Sequence, residues 1–480
     1  MGFLETIKKA GLNKVLDYFD KDPETNIPKI MGWIKTFDRS GRFDKVYKGI
    51  EEVTQDPNNN WNKLIKSIWT DFDRDVRRTT FRNFLVNSAI LGNDQRYETE
   101  KKYDCNVPWA ILLDPTSACN LLCTGCWAAE YGHKLNLSYE ELDNIITQGK
   151  AMGTYMYIYT GGEPLVRKKD IIRLCEKHDD CEFLCFTNGT LIDEEFADEM
   201  LRVKNFVPAI SVEGFEKATD SRRGEGTYKA IERAMAILKK KKLIFGVSCC
   251  YTKYNAQDIG SEAFFDDLIE KGVKFAWFFT FMPVGADSGT ELMATAEQRE
   301  FMYRQIRTFR RTKPLLTMDF WNDGEYVGGC IAAGRKYLHI NANGDIEPCV
   351  FAHYSDSNIR EKTLLEAYCS PLFMAYRHNQ PFSDNLLRPC PILDNPGRLA
   401  KMVDETGAKS TDLQNPEDVH ELCGKCAEAA GNWKPKADRL WNFEEGHSIG
   451  LDGMNEKDEV EGLHTGYCGS CQMCQSEKKD

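Results

Sequence analysis

Trp109-Ala110-Ile111-Leu112-Leu113-Asp114 leads through Pro115-Thr116-Ser117-Ala118 into Cys119-Asn120-Leu121-Leu122-Cys123-Thr124-Gly125-Cys126. The first six residues form a short apolar run bounded by prolines, the pattern of a strand buried on both faces. The loop after it places three thiols within eight residues. Downstream the pattern repeats, with apolar, β-rich runs at Tyr155 to Tyr159, Phe183 to Phe186, Phe206 to Val212, Leu243 to Cys250 and Phe275 to Phe281. Amphipathic segments separate them. One opens on Ser138-Tyr139-Glu140-Glu141, the Ser-x-x-Glu form of a capping box, and keeps helical apolar spacing to Met152. Six strands each followed by a helix predict an α/β fold with a parallel sheet and right-handed crossovers, a partial (βα)6 TIM-like barrel. In such barrels the chemistry sits on the loops after the strands, where the three thiols lie.

Four segments follow from the pattern. Residues 1–104 form a helical N-terminal region, with amphipathic stretches at Phe3 to Phe19, Ile27 to Phe37, Phe43 to Val53 and Trp61 to Leu91, and without cysteine. Residues 105–315 form the core barrel, including a helix near Thr295 to Phe309. Residues 316–434 form a cysteine-rich extension of shorter strands and loops. Residues 435–480 read as an acidic linker and a tail carrying Cys468-x-x-Cys471-x-x-Cys474.

Bulk properties narrow the function. The net charge of −12 over 480 residues disfavours nucleic acid or acidic lipid as a partner. Lys239 to Lys242 is the one dense basic run, and it reads as a helix C-terminus, where positive charge suits the macrodipole. No apolar stretch of about 18 residues suggests a transmembrane segment. The start, Met1-Gly2-Phe3-Leu4-Glu5-Thr6, lacks the features of a secretory signal, so a cytoplasmic location is expected. Eighteen cysteines in such a chain point to metal ligation over disulfides.

Three thiols on one loop can hold three irons of a cubane and leave the fourth open to chelation by a small molecule. Structural zinc, the competing reading, generally takes four protein ligands in paired spacing. The Cys-x3-Cys-x2-Cys spacing after a first barrel strand resembles the signature of the radical S-adenosylmethionine (SAM) superfamily, although here the aromatic residue, Trp127, follows the last cysteine. Further matches fall after the next strands: Gly161-Gly162-Glu163-Pro164, Thr187-Asn188-Gly189-Thr190, Ser211-Val212-Glu213-Gly214, then Arg222-Arg223-Gly224. The resemblance implies a 4Fe-4S cluster on Cys119, Cys123 and Cys126. It implies SAM contacts from Gly161, Gly162, Glu163, Pro164, Asn188, Ser211, Glu213, Arg223 and Ser248. Arg222 competes with Arg223 for the role of SAM-binding arginine.

In the extension, Cys330 is followed after thirteen residues by Gly344 and after four more by Cys349, a hairpin with ligands at both ends. This resembles the SPASM and twitch extensions that hold auxiliary 4Fe-4S clusters. Cys390, Cys423 and Cys426 are the remaining candidate ligands, and Cys369, inside a helical pattern, is expected to be buried. The dense second cysteine group of a full SPASM domain is absent, so one auxiliary cluster is expected; the tail cysteines Cys468, Cys471 and Cys474 are candidates for a further metal. The family's chemistry would be reductive cleavage of SAM to a 5′-deoxyadenosyl radical, with a flavodoxin or ferredoxin as electron donor. The substrate is expected to be hydrophobic or lipid-like, with a peptide as the alternative. Two other classes compete, an iron-sulfur electron carrier without SAM chemistry and a zinc-bound scaffold. Neither has a use for the glycine, serine and arginine positions after the strands.

Overall fold

The run before the thiol loop forms β1 (Ala110–Leu113), with all four residues buried. A computed structural model describes residues 56–441 except 286, together with 17, 20, 21, 26 and 53. The next strands are β2 (Met156–Tyr159), β3 (Glu182–Thr187), β4 (Phe206–Ser211), β5 (Gly246–Tyr251) and β6 (Phe275–Thr280), each pairing in parallel with the one before. Every one lies within three residues of the apolar run that predicts it. Alternation along β1 turns Ala110 and Leu112 toward the central cavity, while Ile111 and Leu113 are fully buried on the other face.

Two further parallel strands widen the sheet. β7 (Leu316–Asp319) joins β6, and β8 (Tyr337–Ile340) joins β1 on the opposite side. β9 (Ile346–Glu347) folds back antiparallel on β8, which is the hairpin expected between Cys330 and Cys349. The order is therefore β7-β6-β5-β4-β3-β2-β1-β8-β9. The sheet thus continues past residue 315 through a segment, Leu316-Thr317-Met318-Asp319, too short and mixed to read as a strand on its own pattern.

The described part of the N-terminal region comprises α1 (Asn60–Asp71), α2 (Arg74–Thr80), a π-helix (Phe81–Leu91) and α3 (Gly92–Tyr103). The helix expected from Trp61 to Leu91 is broken at Asp73, whose carboxylate caps α2 by accepting from Asp75 N and Val76 N. This region covers the N-terminal ends of the strands, away from the thiol loop. Asn83 Nδ2 donates to Cys181 O (2.8 Å) and Asp179 O (3.0 Å) just before β3, and the Phe84 ring meets Trp109 edge-on at 5.7 Å. The expected stretches at Phe3 to Phe19, Ile27 to Phe37 and Phe43 to Val53 lie almost wholly outside the described residues.

α4 (Tyr139–Ala151) opens on the expected capping box, with Ser138 Oγ accepting from Glu141 N and Glu141 accepting from Ser138 N. α5 (Thr227–Lys240) ends in the basic run, whose Lys240 and Lys241 pair with Glu194 and Asp198. α6 (Ala296–Thr312) precedes β7, and α7 (Pro371–Asn379) packs under the cysteine-rich hairpin. α8 (Val419–Trp441) runs through Pro435, so residues 435–441 are helix and not linker. Trp433, Ala437 and Leu440 bury one face of α8 against Ala296, Tyr303 and Leu387, and this burial offsets the hydrogen bond that proline removes. Residues 442–480, with Cys468, Cys471 and Cys474, lie outside the described residues. Among the described residues no helix is long and apolar enough to cross a membrane.

Candidate functional site

The loops after β1 to β5 converge on one cavity. It is lined by Cys119, Cys123 and Cys126, by Gly161, Gly162 and Glu163, by Asn188, by Ser211 and Ser248, and by Arg222 and Arg223. The two serines sit side by side, because Ser211 and Ser248 are register partners on β4 and β5. Pro164 starts a 3-10 turn and is buried away from the cavity, and Glu213 lies behind its wall.

Backbone hydrogen bonds join the thiol loop to the Gly-Gly turn: Gly162 N donates to Thr116 O (3.1 Å) and Glu163 N to Ala118 O (2.8 Å). A Cβ on Gly162 would stand 2.2 Å from Ala118 O, and Gly161, at φ +106°, would place one 2.8 Å from Thr116 O. The glycines are thus required by close approach of the thiol loop. Gly162→Ala is expected to push that loop away and abolish iron retention on the three thiols. Iron counting after anaerobic reconstitution checks this, and full retention would refute it.

Glu163 is committed to the protein. Its carboxylate accepts from Leu165 N (2.9 Å), Thr187 Oγ1 (2.7 Å) and Asn188 N (2.7 Å), which fastens the β2 loop to the end of β3. Burial pushes this carboxyl above its ordinary range, against the pull of those donors. Asn188 in turn donates to Asn120 Oδ1 (2.8 Å) inside the thiol loop. Expected as ligand contacts, both side chains are found bracing the loops.

Both arginines expected to compete for SAM line the cavity. Neither guanidinium is a solvating surface group: Arg222 and Arg223 both reach Oε1 of the fully buried Glu213 at 2.5 Å. Arg222 also anchors the thiol loop, with its carbonyl accepting from Thr124 N (2.9 Å) and its Nη2 donating to Gly125 O (3.4 Å). Arg223 Nη1 lies 3.9 Å from Cys123 Sγ. Glu213 is therefore the counterion that holds the two cations against the loop, and this withdraws it from the expected cofactor contacts.

Three thiols on a loop, facing cationic and N–H donors, suit an anionic iron-sulfur centre. Leu121 N donates to Cys119 Sγ (3.4 Å). Burial pushes Cys119 up to about 11 and also raises Cys123, although Arg223 pulls the latter down. Binding iron therefore includes loss of the thiol protons. Among the described residues no group of three or more Cys, His, Asp or Glu side chains is close-set enough for a single metal ion. A cubane spreads its ligands around a larger body.

A second, smaller cavity lies by the hairpin, lined by Cys330, Cys349 and Cys390 with Trp321, Ile331, Ile392 and two phenols, Tyr337 and Tyr376. Tyr337 OH stands 2.7 Å from Cys349 Sγ, and Cys390 Sγ accepts from Leu393 N (3.3 Å) and Ile392 N (3.4 Å). Cys423 and Cys426 are buried one helical turn apart on α8 and do not line this cavity. Cys369, expected to be buried, is exposed, because the helix that carries it ends at Tyr368 and leaves it at the C-cap.

Residues 113–262 match the family described as the Radical SAM superfamily. That span of the chain is a radical SAM domain. Residues 330–391 match the iron-sulfur cluster-binding SPASM domain, which brings Cys330, Cys349 and Cys390 within one recognised unit. Radical SAM enzymes are prominent among the relatives. Fe-coproporphyrin III synthase of Methanosarcina barkeri is 27% identical over 230 residues, 45% of this chain and 57% of that protein. The match therefore spans little more than half of that relative. The cysteine-type anaerobic sulfatase-maturating enzyme of Clostridium perfringens is 29% identical over 351 residues, 66% of this chain and 86% of that enzyme. The crystal structure of Streptococcus suis SuiB bound to S-adenosylmethionine superposes with a TM-score of 0.52 at 21% identity, covering 62% of this chain and 76% of SuiB, a likeness of fold. The radical SAM core thus comes with a 4Fe-4S cluster and SAM as cofactors, and the SPASM domain with auxiliary iron-sulfur binding.

Behind the radical SAM thiol loop lies a buried polar network that the sequence reading missed. His339 on β8 bridges Asp114 Oδ1 (2.9 Å, from Nε2) and Glu347 Oε2 (2.5 Å, from Nδ1). Glu347 also accepts from Tyr131 OH (2.9 Å), Asn341 Nδ2 (3.0 Å) and Thr411 Oγ1. Trp127, next to Cys126, packs edge-on against His339 at 5.7 Å, so the network backs the wall that carries the thiols. Its members come from β8, β9, the residue after β1, a 3-10 turn and two further loops, a grouping with no local signal in the sequence.

Proposed function

We propose that this chain binds a 4Fe-4S cluster through Cys119, Cys123 and Cys126 and seats SAM against the Gly161–Gly162 backbone, Ser211, Ser248 and Arg223, to start radical chemistry on an apolar substrate. The observation that carries this reading is the convergence of three thiols and four strand-end loops on one cavity. When bound and reduced, the cluster supplies the electron that splits SAM into methionine and a 5′-deoxyadenosyl radical. The chain's own residues bind and orient. Gly161 and Gly162 present carbonyls to a cationic amine, and the Arg223 guanidinium and the serine hydroxyls suit a carboxylate and a ribose. Glu163, Asn188 and Glu213 hold those groups in place.

The same cavity carries the substrate side, and much of its remaining wall is aromatic: Trp109, Trp277, Phe279, Phe320 and Phe351. Trp277 and Phe279 lie nearly parallel, 8° apart, with Phe186 edge-on to both. Such a wall favours a flat or apolar substrate and keeps water from a reactive radical. A macrocycle, as in the name of the Methanosarcina relative, and an apolar peptide segment both meet this requirement. The helical cover over the strand N-termini weighs against a peptide leader-binding module at the described part of the N-terminal region.

We further assign Cys330, Cys349 and Cys390, completed from the Cys423-x-x-Cys426 pair, to one auxiliary 4Fe-4S cluster. A flavodoxin- or ferredoxin-type donor in an oxygen-poor cytoplasm fits the low potential required, and the fifteen described cysteines, all free, suit a reducing compartment.

Anaerobically reconstituted protein with dithionite and SAM is expected to form 5′-deoxyadenosine, followed by chromatography. Combined replacement of Cys119, Cys123 and Cys126 by Ala should remove about four irons per chain and all SAM cleavage. Iron-loaded protein that releases no 5′-deoxyadenosine, with or without candidate substrates, would favour the electron-carrier reading.

A further inference from the structure

The cavity holding Cys330, Cys349 and Cys390 is lined otherwise by hydrocarbon and aromatic side chains, and its only hydroxyls are those of Tyr337 and Tyr376. Tyr337 OH is already 2.7 Å from the sulfur of Cys349. Tyr376 is fully buried, its ring fixed edge-on against Phe382 at 5.5 Å, and its hydroxyl has no hydrogen-bond partner among the described residues. A buried O–H is rarely left without an acceptor. Apart from the Tyr337 hydroxyl, the side-chain acceptors lining this cavity are the three sulfurs.

We propose that Tyr337 and Tyr376 donate hydrogen bonds to the sulfurs of the auxiliary cluster and so set its reduction potential. The inference rests on the reading that Cys330, Cys349 and Cys390 hold that cluster. Reduction adds negative charge to the sulfurs, so an O–H aimed at them stabilises the reduced state more than the oxidised one and raises the potential. The two donors approach from different elements, Tyr337 from β8 and Tyr376 from α7. Tyr337 is also held in register beside Ala110 of β1, and it lines both this cavity and the main one. Its phenol therefore stands in the wall between substrate and auxiliary cluster.

The test uses the full-length chain with Cys119, Cys123 and Cys126, and the tail cysteines Cys468, Cys471 and Cys474, replaced by Ala, so that only the auxiliary cluster remains, reconstituted anaerobically and titrated redox-potentiometrically with electron paramagnetic resonance detection. Tyr337→Phe and Tyr376→Phe are each expected to retain iron and to make reduction about tenfold less favourable, a shift of about 59 mV to more negative potential for a one-electron couple. The double variant should shift further. Iron-retaining variants with an unchanged or raised potential would overturn the proposal. Should Tyr337→Phe fail to hold iron, Tyr376→Phe decides alone, since its hydroxyl bonds to nothing among the described residues. A parent chain that binds no iron would instead overturn the auxiliary-cluster reading itself, and the proposal with it.

Discussion

Denaturant unfolding of the cluster-free Glu213→Gln protein is expected to show a loss of about 3–5 kcal/mol against the parent, the cost of leaving a buried charge uncompensated. Glu213 is fully buried and ion-paired with both Arg222 and Arg223. Burial by itself pushes its carboxyl up, but the two guanidiniums overcome that and hold it below the usual range. Gln keeps the shape and the acceptor for Cys250 N, now at 3.2 Å from Glu213 Oε2, and removes only the charge. Two guanidiniums would then face each other in the wall of the cavity, and because Arg222 accepts from Thr124 N, the thiol loop would loosen with them. A loss under about 1 kcal/mol would mean that water reaches the arginines and that the pair is no anchor.

His339→Gln is expected to produce a comparable loss and also to change the pH dependence of stability. Burial opposes the charged imidazole, but Asp114 and Glu347 on its two nitrogens outweigh burial and raise it to about 10. A histidine so raised contributes its full stabilisation below its unfolded value of about 6.5 and loses it as pH climbs through 10. The stability difference between parent and variant should therefore be greatest near pH 6 and shrink steadily towards pH 10. Burial pushes the Asp114 carboxyl up, against the pull of His339. His353, also raised and paired with Asp412 at 2.6 Å, remains in both proteins, where the charge on His339 opposes its own. A difference independent of pH from 6 to 10 would show that His339 is neutral in the fold.

The six barrel strands and the thiol loop were legible because each is a local pattern, an apolar run between punctuation or a tight cysteine spacing. The same holds for the Cys330 to Cys349 hairpin. What the pattern could not carry is direction and distance along the chain. Glu163 and Glu213 were placed in the right loops, yet a sequence names a carboxylate without saying where it points, and both point into the protein. The adjacent arginines could not be separated until Arg222 was seen to bond the thiol loop through its backbone. α8 passes Pro435 because contacts with α6 and Leu387 outweigh a local breaker, and Cys369 is exposed because its helix stops one residue early. The phenols at the auxiliary cavity come from residues 337 and 376, which no spacing rule connects.

The parallel pairing of β8 with β1 has a kinetic consequence. The strand that launches the thiol loop and the strand that launches the SPASM hairpin share a ladder, with Ala110 N donating to Lys336 O at 3.0 Å and Asp114 N to Ile340 O at 2.9 Å. The two iron-binding regions are thus fastened across one hydrogen-bonded seam, without a hinge between them. Electron tunnelling between them would take place over a fixed gap, so its rate would follow driving force and substrate occupancy and would be insensitive to solvent viscosity.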